Sequence, residues 1–422
     1  MRPIRLPEPP GPTTTTTGVP EIFEAGNYGV IRRAVVIGNG SSAAENQSLG
    51  LVRALGLSDK HVLYRVTRPR GGINEWLHWL PVYMHKFLDY VVRKMYGYSR
   101  LMITSRGKPL FNSSSENGSS GVGLSSILEA DVKQIVRMAR DTYEKDGPLL
   151  VIASGRDTVS TANSIKRLAS ENVFVVQIQH PRSDVHRFDM VITPRHDYYP
   201  LTPQGQEQVP RFLRRWITPL EPPDKHVVLT LGALHQIDFA TLRSAASTWH
   251  DEFAPLPKPL LVVNIGGPTR RCRYGPDLAR KLTASLLSVL TSCGSIEYLS
   301  HLGHLKRELA DNKKVHIWDG QEPNPYKGHL AWADAFVVTA DSVSMLSEAC
   351  STGKPVYVTG SEYCTWKLSD FHKSLKEQGV VRPFTGSEDI SEIWSYPPLN
   401  DTAEAARQLH EALAQRGLIL RP

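Results

Sequence analysis

The chain has 422 residues, a length that favours two domains over one, and its composition is ordinary for a globular protein. Its formal net charge of +7 is spread along the chain without a long Lys/Arg tract, an RNA-module signature or a zinc-finger signature, so no nucleic-acid partner is expected. Four widely spaced cysteines without a CxxC pair predict no metal site, and they favour free thiols in a reducing compartment.

The first 31 residues are rich in proline and threonine and predict a disordered tail. They lack the apolar stretch of a secretory signal, and their prolines and acidic residues are atypical of a mitochondrial presequence. Elsewhere no apolar run reaches the roughly 20 residues that span a bilayer. The sequence therefore predicts a folded α/β chain behind a polar tail.

A glycine-rich turn follows the first predicted strand, which covers 34–37. Gly38 and Gly40 lie in this turn, where backbone N–H groups can approach a phosphate or a sugar, and Gln47 lies in the helix that follows and could face a cleft. Ala43 stands where the third glycine of a Gly-x-Gly-x-x-Gly fingerprint would be. A plain tight turn between strand and helix is therefore an equal alternative.

The segment 76–98 predicts an amphipathic helix with one continuous apolar face. Its basic and aromatic residues lie largely off that face, a composition that suits a helix lying on a membrane surface. The alternative is a helix packed on the first sheet, and the two coexist if a docked helix leaves its aromatic rim exposed. The candidate membrane or partner surface consists of Trp76, Trp79, Tyr83, Lys86, Arg93 and Lys94.

Polar residues follow two further strands, predicted over 174–179 and 189–193. His180 comes after the first of these strands and Asp197 after the second. Carboxyl ends of parallel strands share one edge of a sheet, so these residues either line a cleft or lie in surface turns. The sequence identifies no catalytic base, and His180 and Asp197 are the first candidates.

Two successive β/α alternations predict the architecture of the whole chain, an α/β fold with two Rossmann-like domains facing a central cleft. The domains are expected over 32–200 and 226–400. The Pro-, Gln- and Arg-rich segment 201–225 is the predicted linker, and 401–422 is expected to form a C-terminal helix or tail.

In the second domain, a strand over 260–265 leads into a loop that begins with Gly266 and Gly267 and continues with Arg270 and Arg271. Close backbone donors and guanidinium groups together are typical of a diphosphate cradle. An exposed basic loop without a ligand is the alternative.

A strand–helix–strand unit is predicted further along the chain, with its helix over 342–350. Ser342, Ser344 and Met345 lie at the start of that helix, where free N–H groups favour an anion, and Glu348 lies six residues beyond Ser342. In glycosyltransferases with two Rossmann domains, a carboxylate in this region commonly holds the ribose of a nucleotide sugar. The alternative is an ordinary unit whose Glu348 is solvated.

Several of these motifs occur together in a way that resembles the plant mitochondrial fission proteins of the ELM (elongated mitochondria) family, over roughly residues 30 to 400. The motifs are long and specific. They are Gln179-His180-Pro181-Arg182, Pro194-Arg195-His196-Asp197, Ile265-Gly266-Gly267-Pro268, the segment 318–326 with the sequence WDGQEPNPY, and the segment 339–356 with its Thr-Ala-Asp-Ser and Thr-Gly-Lys-Pro-Val stretches.

This resemblance implies a glycosyltransferase-B-like fold. It also implies a peripheral protein at the cytosolic face of the mitochondrial outer membrane, with a cytosolic pool, that recruits a dynamin-related GTPase to division sites. The alternative is a glycosyltransferase that uses a nucleotide sugar, the one candidate cofactor. The segment 296–305 departs from the family pattern, because the usual Ser-Arg-Arg-Thr-Pro loop is missing there, and the loss of an arginine pair weakens the case for diphosphate binding.

Overall fold

The computed structural model describes residues 29–66, 80, 82–96, 124–217, 219–290, 294–299, 314–318, 323–392 and 394–421. The predicted tail up to residue 28 lies outside these residues, as do Trp76, Trp79 and the atypical segment beyond residue 299. The side chain of Arg93 is likewise outside the described part, although its backbone lies in a helix.

The first part of the chain forms these strands and helices: β1 (Gly29–Ile31), β2 (Ala34–Gly38), α1 (Ser42–Ala54), β3 (His61–Arg65), α2 (Val82–Tyr96), α3 (Leu124–Asp141), α4 (Tyr143–Asp146), β4 (Leu149–Ser154), α5 (Val159–Leu168), β5 (Val173–Ile178), β6 (Met190–Pro194), α6 (Pro203–Glu207) and β7 (Val227–Thr230). Short 3-10 helices cover Arg156–Thr158, Val185–Arg187, Arg195–Leu201 and Arg211–Trp216.

The second part continues with α7 (Phe239–Thr248), α8 (His250–Phe253), β8 (Leu260–Asn264), α9 (Pro276–Val289), β9 (Ser295–Leu299), β10 (Val315–Trp318), α10 (Tyr326–Trp332), β11 (Ala335–Thr339), α11 (Val343–Cys350), β12 (Val356–Thr359), α12 (Lys367–Glu377), β13 (Arg382–Pro383), α13 (Asp401–Ala414) and β14 (Leu418–Leu420). A 3-10 helix over Ser361–Tyr363 precedes α12.

The first large sheet has six strands in the order β3-β2-β4-β5-β6-β7, and its described pairs are parallel. The central strands are runs of β-branched and apolar residues that are buried along their whole length, as expected when helices cover both faces. Chain order reverses between β2 and β4, so the loops that follow these two strands diverge and leave room for a ligand at their carboxyl ends.

The second sheet also has six strands, in the order β10-β9-β8-β11-β12-β13, again with parallel pairing. Alternate residues of the central strands pack on opposite faces: Val262 and Val338 belong to one apolar cluster, and Val263 and Val337 to the other. The prediction of two Rossmann-like α/β domains is confirmed by these two sheets.

The chain divides into two compact units. The first unit comprises the described residues up to Ile192, Lys225–Val227 and the chain from Gln408 onward, and the second comprises Thr193–Asp224 and Val228–Arg407. The segment predicted as a linker is structured, since it holds α6 and the 3-10 helix Arg211–Trp216, and all of it except Lys225 belongs to the second unit.

The C-terminal end of the chain returns to the first unit and pairs with residues that the sequence assigns to the tail. β14 and β1 run parallel, with Ile419 opposite Val30, and Gly29 N donates to the carbonyl oxygen of Gly417 at 2.9 Å. Gly29–Ile31 are therefore a strand rather than part of a disordered tail. None of the described helices is both long enough and apolar enough to cross a membrane.

Asp189 fixes the C-terminal segment around Arg416 to the first unit. Its carboxylate is buried and accepts hydrogen bonds from Lys166 Nζ and Val175 N, each at 2.7 Å, and it also pairs with Arg416. The Arg416 guanidinium in turn lies 4.8 Å from the ring centroid of Phe174. One buried carboxylate thus connects α5, β5 and the segment that follows α13.

We expect Asp189→Ala to lower the free energy of unfolding by about 3 kcal/mol, because it leaves a buried N–H and two cations without their acceptor. Urea denaturation of the full chain measures this loss. Lys133→Ala is the control, since Lys133 pairs with Glu129 on an exposed helix face, and it should cost only about 0.3–0.5 kcal/mol. Equal losses in the two variants would contradict the anchoring role of Asp189.

Candidate functional site

The candidate site lies in the second unit, where the strand order reverses between β8 and β11. These two strands are neighbours, with Asn264 opposite Val338, and each ends in a polar loop at the same edge of the sheet. In open parallel sheets, ligands bind at the carboxyl ends of the strands that flank such a reversal. The loops concerned are 265–275 after β8 and 340–342 after β11.

Two hydrogen bonds join these loops. Gly266 N donates to Thr339 Oγ1 at 2.8 Å, and the Tyr274 hydroxyl donates to Asp341 Oδ1 at 2.8 Å. A Cβ atom on Gly266 would lie 2.0 Å from Asp341 Oδ2, so the backbone can approach the carboxylate only because residue 266 is glycine. Gly267 faces open space, which leaves its backbone accessible to a ligand.

Asn264 ends β8 directly beneath this loop pair. Its side chain is buried, and neither amide atom has a hydrogen-bond partner among the described residues. An unsatisfied buried amide costs about 1–3 kcal/mol, so a ligand or a water molecule at the edge would stabilise it. Asn264 was not among the predicted site residues. A local signal for it exists, since it is a polar residue that ends the apolar run LLVV.

The helix α11 begins at this edge, and the predicted strand–helix–strand unit is confirmed. Ser342 caps the helix, because its Oγ accepts a hydrogen bond from Met345 N at 3.3 Å. Ser344 and Met345 are half-buried in the first turn. The positive end of the helix dipole therefore lies where the two loops meet.

Glu348 is buried on α11 and accepts a hydrogen bond from the Tyr326 hydroxyl at 2.5 Å. Burial raises the pKa of Tyr326 well above its usual value, and the neighbouring carboxylate raises it further, so the phenol keeps its proton and donates. The alternative of a solvated Glu348 is wrong. Tyr326 ends the motif WDGQEPNPY and is the first residue of α10, but no local pattern indicates that it contacts a residue 22 positions away.

Arg270 and Arg271 are exposed on the loop after β8. The backbone of Arg271 is fixed, since its carbonyl oxygen accepts from Thr365 N at 2.8 Å, and its guanidinium lies 5.6 Å from the ring centroid of Trp366. The contact with Trp366 directs the Arg271 guanidinium toward the start of α12, and the diphosphate cradle stays a prediction.

The two candidate bases belong to different units, His180 to the first and Asp197 to the second. Asp197 forms an ion pair with Lys367 of α12 and accepts from Thr193 Oγ1 at 2.8 Å. Burial alone would raise the pKa of Asp197, but Lys367 and these neighbours hold it well below its usual value. Such a carboxylate is a poor proton acceptor at neutral pH, which argues for a structural role. The His180 ring instead stabilises its own turn, because Nδ1 accepts from Arg182 N at 3.0 Å.

In the first unit, the glycine-rich turn after β2 is occupied by the side chain of Glu45. Glu45 Oε1 accepts from Gly40 N at 2.9 Å, and the Glu45 carboxylate pairs with Arg65 at 2.8–2.9 Å. A Cβ atom on Gly38 would lie 2.5 Å from Glu45 Oε1. Because a carboxylate already occupies the turn, a phosphate there would be repelled, and the plain tight turn is favoured.

Gln47, the third candidate of this region, lies on α1 and is buried. Its Nε2 donates to the carbonyl oxygen of Ala43, in the preceding turn of α1, at 3.3 Å. The side chain therefore stabilises its own helix. Glu45 and Arg65 could not be identified from the sequence, because their pairing spans 20 positions and has no local signature.

The chain matches the family model described as mitochondrial fission ELM1 over residues 43–413. It is 68% identical to the mitochondrial fission protein ELM1 of Arabidopsis thaliana over the full length of both chains. An uncharacterized protein of Rickettsia prowazekii is 30% identical over 65% of this chain and 83% of its own length. Among solved structures, the UDP-GlcNAc 2-epimerase of Neisseria meningitidis bound to UDP-GlcNAc has 13% identity and a TM-score of 0.48, over 91% of this chain and 100% of that one.

Buried histidines near the site predict a pH dependence of stability. Burial lowers the pKa of His196 from 6.5 to about 4, although Asp197 opposes the shift. At pH values between 4 and 6.5, His196 therefore binds a proton in the unfolded chain but not in the folded chain. Stability should therefore fall as the pH drops from 6.5 to 4, by roughly 3 kcal/mol for this residue.

We expect His196→Gln to flatten the pH dependence over this window, as measured by urea denaturation at a series of pH values. Part of the slope should remain, because burial also lowers the pKa of His235 to about 4. The exposed His250→Gln variant is the control and should keep the slope of the parent chain. An unchanged slope in His196→Gln would show that His196 is not the titrating group.

Proposed function

The chain belongs to the mitochondrial fission ELM1 family, so its role lies in mitochondrial fission, and from this premise we propose how it acts. It is a non-enzymatic adaptor that attaches peripherally to the cytosolic face of the mitochondrial outer membrane and has a cytosolic pool. There it recruits a dynamin-related GTPase to division sites. One structural observation carries the membrane part of this proposal, the exposed face of α2.

Three aromatic residues of α2, which we call the aromatic face, share one side of the helix at spacings of four and three. Tyr83, Phe87 and Tyr90 are 49%, 59% and 62% exposed. Lys94 is exposed beside them, as is Lys86, which forms an ion pair with Glu129 of α3. Exposed rings flanked by lysines suit the interface of an anionic bilayer, where the rings enter the headgroup boundary and the ammonium groups meet phosphates.

The opposite side of α2 is docked on the first unit. Val82 N donates to Ser164 Oγ at 3.0 Å. His85 is buried, with Nε2 lying 3.0 Å from the Leu80 carbonyl oxygen and 3.1 Å from Ser160 Oγ. Docking of this side leaves the aromatic face of the same helix exposed, so the docked helix is compatible with membrane attachment. A docked helix presents a fixed aromatic face, so little conformational entropy is lost when that face meets a surface.

Replacing the aromatic face by Tyr83→Ser, Phe87→Ser and Tyr90→Ser together should lower vesicle binding at least tenfold. Even partial burial of three rings contributes about 1.4 kcal/mol or more. Co-sedimentation of the full chain with vesicles of outer-membrane lipid composition measures this. Phe239→Ser is the control, because Phe239 is an exposed aromatic residue on α7 in the other unit.

The same variants test the role in cells that lack the native protein. The triple variant should leave mitochondria elongated and the dynamin-related GTPase cytosolic, whereas Phe239→Ser should restore both. A triple variant that binds vesicles and restores division like the parent would refute attachment through α2. Deletion of the protein without any change in mitochondrial length would refute the adaptor role itself.

The second candidate function is a glycosyltransferase that uses a nucleotide sugar. The unsatisfied Asn264 amide beneath Gly266 and Gly267, together with the capped start of α11, favours an anionic ligand at this edge. Glu348 would hold the ribose hydroxyls with its carboxylate. This proposal concerns the second sheet, and the adaptor proposal concerns α2, so each can fail without the other.

Calorimetric titration with nucleoside diphosphates and nucleotide sugars tests this second function. We expect Glu348→Gln to weaken binding by about tenfold to a hundredfold, because hydrogen bonds to a charged group contribute about 1.5–3 kcal/mol. Glu404→Gln is the control, since Glu404 pairs with Arg407 one helical turn away on α13. Absence of saturable heat with every compound would exclude a nucleotide site.

A further inference from the structure

Two buried cysteines meet beside the candidate site. Cys272 lies in the loop after β8 and Cys364 lies between the 3-10 helix Ser361–Tyr363 and α12, 92 positions further along the chain. Cys272 is 0% exposed and Cys364 is 7% exposed. Their backbones form an isolated antiparallel bridge, and their Sγ atoms are 2.7 Å apart.

This arrangement is compatible with the spacing that a disulfide requires. Directly opposed residues of an antiparallel pair have Cα atoms about 4.5–5.5 Å apart, which lies inside the range of about 4.4–6.8 Å found across disulfide bonds. The two sulfur atoms already face each other. A covalent bond between them therefore requires only a small side-chain adjustment and no movement of the backbone.

The two thiols differ in a way that gives each a separate role. Cys364 Sγ donates its hydrogen to Cys272 Sγ, which lowers the pKa of Cys272, and the same hydrogen bond raises the pKa of Cys364. The more acidic thiol is the first to be oxidised, and a neighbouring thiol can then resolve the product. Cys272 is thus suited to attack an oxidant, and Cys364 to displace the oxygen.

We propose that Cys272 and Cys364 form a reversible disulfide when the protein meets hydrogen peroxide. The Cys272 thiolate attacks one peroxide oxygen, the O–O bond breaks, and the departing hydroxide takes a proton to become water. The Cys364 sulfur then attacks the sulfenic sulfur of Cys272, the S–O bond breaks, and a second water leaves. Two thiols and one peroxide therefore give one disulfide and two waters, and a thiol reductant reverses the reaction.

Both thiols are buried, so a small oxidant is needed. Hydrogen peroxide reaches them more readily than a larger oxidant, such as a peptide that carries a disulfide. The bond would fix the loop that carries Arg270, Arg271 and Tyr274 onto the start of α12. That loop already contacts this region through Thr365 N and the Arg271 carbonyl oxygen. The inference depends on the thiol pair alone and not on what binds at the sheet edge.

Cys350 provides an internal comparison. It is buried on α11, its Sγ faces the carbonyl oxygen of Val380 at 4.0 Å, and burial raises its pKa. A buried thiol with a raised pKa and a carbonyl neighbour has no route to a disulfide. Oxidation at Cys272 and Cys364 but not at Cys350 would therefore reflect local geometry and not general sensitivity of the chain. Cys293 lies outside the described residues.

The experiment treats the full reduced chain with hydrogen peroxide and counts thiols after denaturation. The count should fall from four to two and return to four with dithiothreitol, and peptide mapping should find residues 272 and 364 linked. Cys350→Ser should form the same link, with its count falling from three to one. Cys364→Ser should stop at a sulfenic acid on Cys272 that dimedone labels, because the resolving thiol is gone.

A second measurement needs no cysteine variant. Trypsin cleavage of the folded chain after Arg270 and Arg271 should slow at least tenfold on oxidation and recover on reduction, because the bond fixes the loop. A linkage that involves Cys293 or Cys350 in place of this pair would overturn the proposal. So would a folded chain that keeps all four thiols at peroxide concentrations that oxidise the unfolded chain.

Discussion

The contact between Gly266 and the Asp341 side chain sets the geometry of the candidate site in the second unit. A carboxylate can lie this close to the loop after β8 only because residue 266 lacks a Cβ atom. The same carboxylate accepts from the Tyr274 hydroxyl at the far end of that loop. Thr339 at the end of β11 therefore holds the Gly266 end of the loop after β8, Asp341 holds its Tyr274 end, and the accessible backbone at Gly267 lies between them.

Contacts of α12 and of Cys364 stabilise the same arrangement. His372 of α12 donates from Nε2 to the carbonyl oxygen of Ala340 at 2.7 Å, and Cys364 Sγ lies 3.7 Å from the same oxygen. The Asp197–Lys367 pair fixes the first residue of α12. Burial makes these polar contacts costly to break, so they hold α12 against the end of β11. A disulfide between Cys272 and Cys364 would add a covalent link at the same place.

The central strands of both sheets could be predicted because a parallel sheet covered on both faces requires continuous apolar runs such as AVVI and AFVV, and such runs are visible in sequence. The exposed edge strand β13, with the sequence Arg-Pro, has no such run and was not predicted. The cap at Ser342 was predictable for a similar reason, since its hydrogen bond reaches only three residues ahead. Contacts such as Tyr326–Glu348 and Asp197–Lys367 were not, because they join residues 22 and 170 positions apart. The strand β1 was missed because its partner is at the other end of the chain, beyond the reach of any local pattern.

The two sides of α2 have different environments, one packed on the first unit and one exposed. Its inner side contributes a buried histidine and a backbone hydrogen bond, so the helix position is fixed whether or not a membrane is present. Arg167 lies over the Tyr83 ring at 4.3 Å and satisfies one face of it, which leaves the remaining aromatic surface without a partner among the described residues. Exposed aromatic surface lowers solubility, and patches of it commonly mark the places where a protein contacts another surface. At the carboxyl ends of the strands the protein's own side chains fill the turns, Glu45 in the first unit and Glu348 with Tyr326 in the second, whereas the aromatic rings on the outer side of α2 are left exposed.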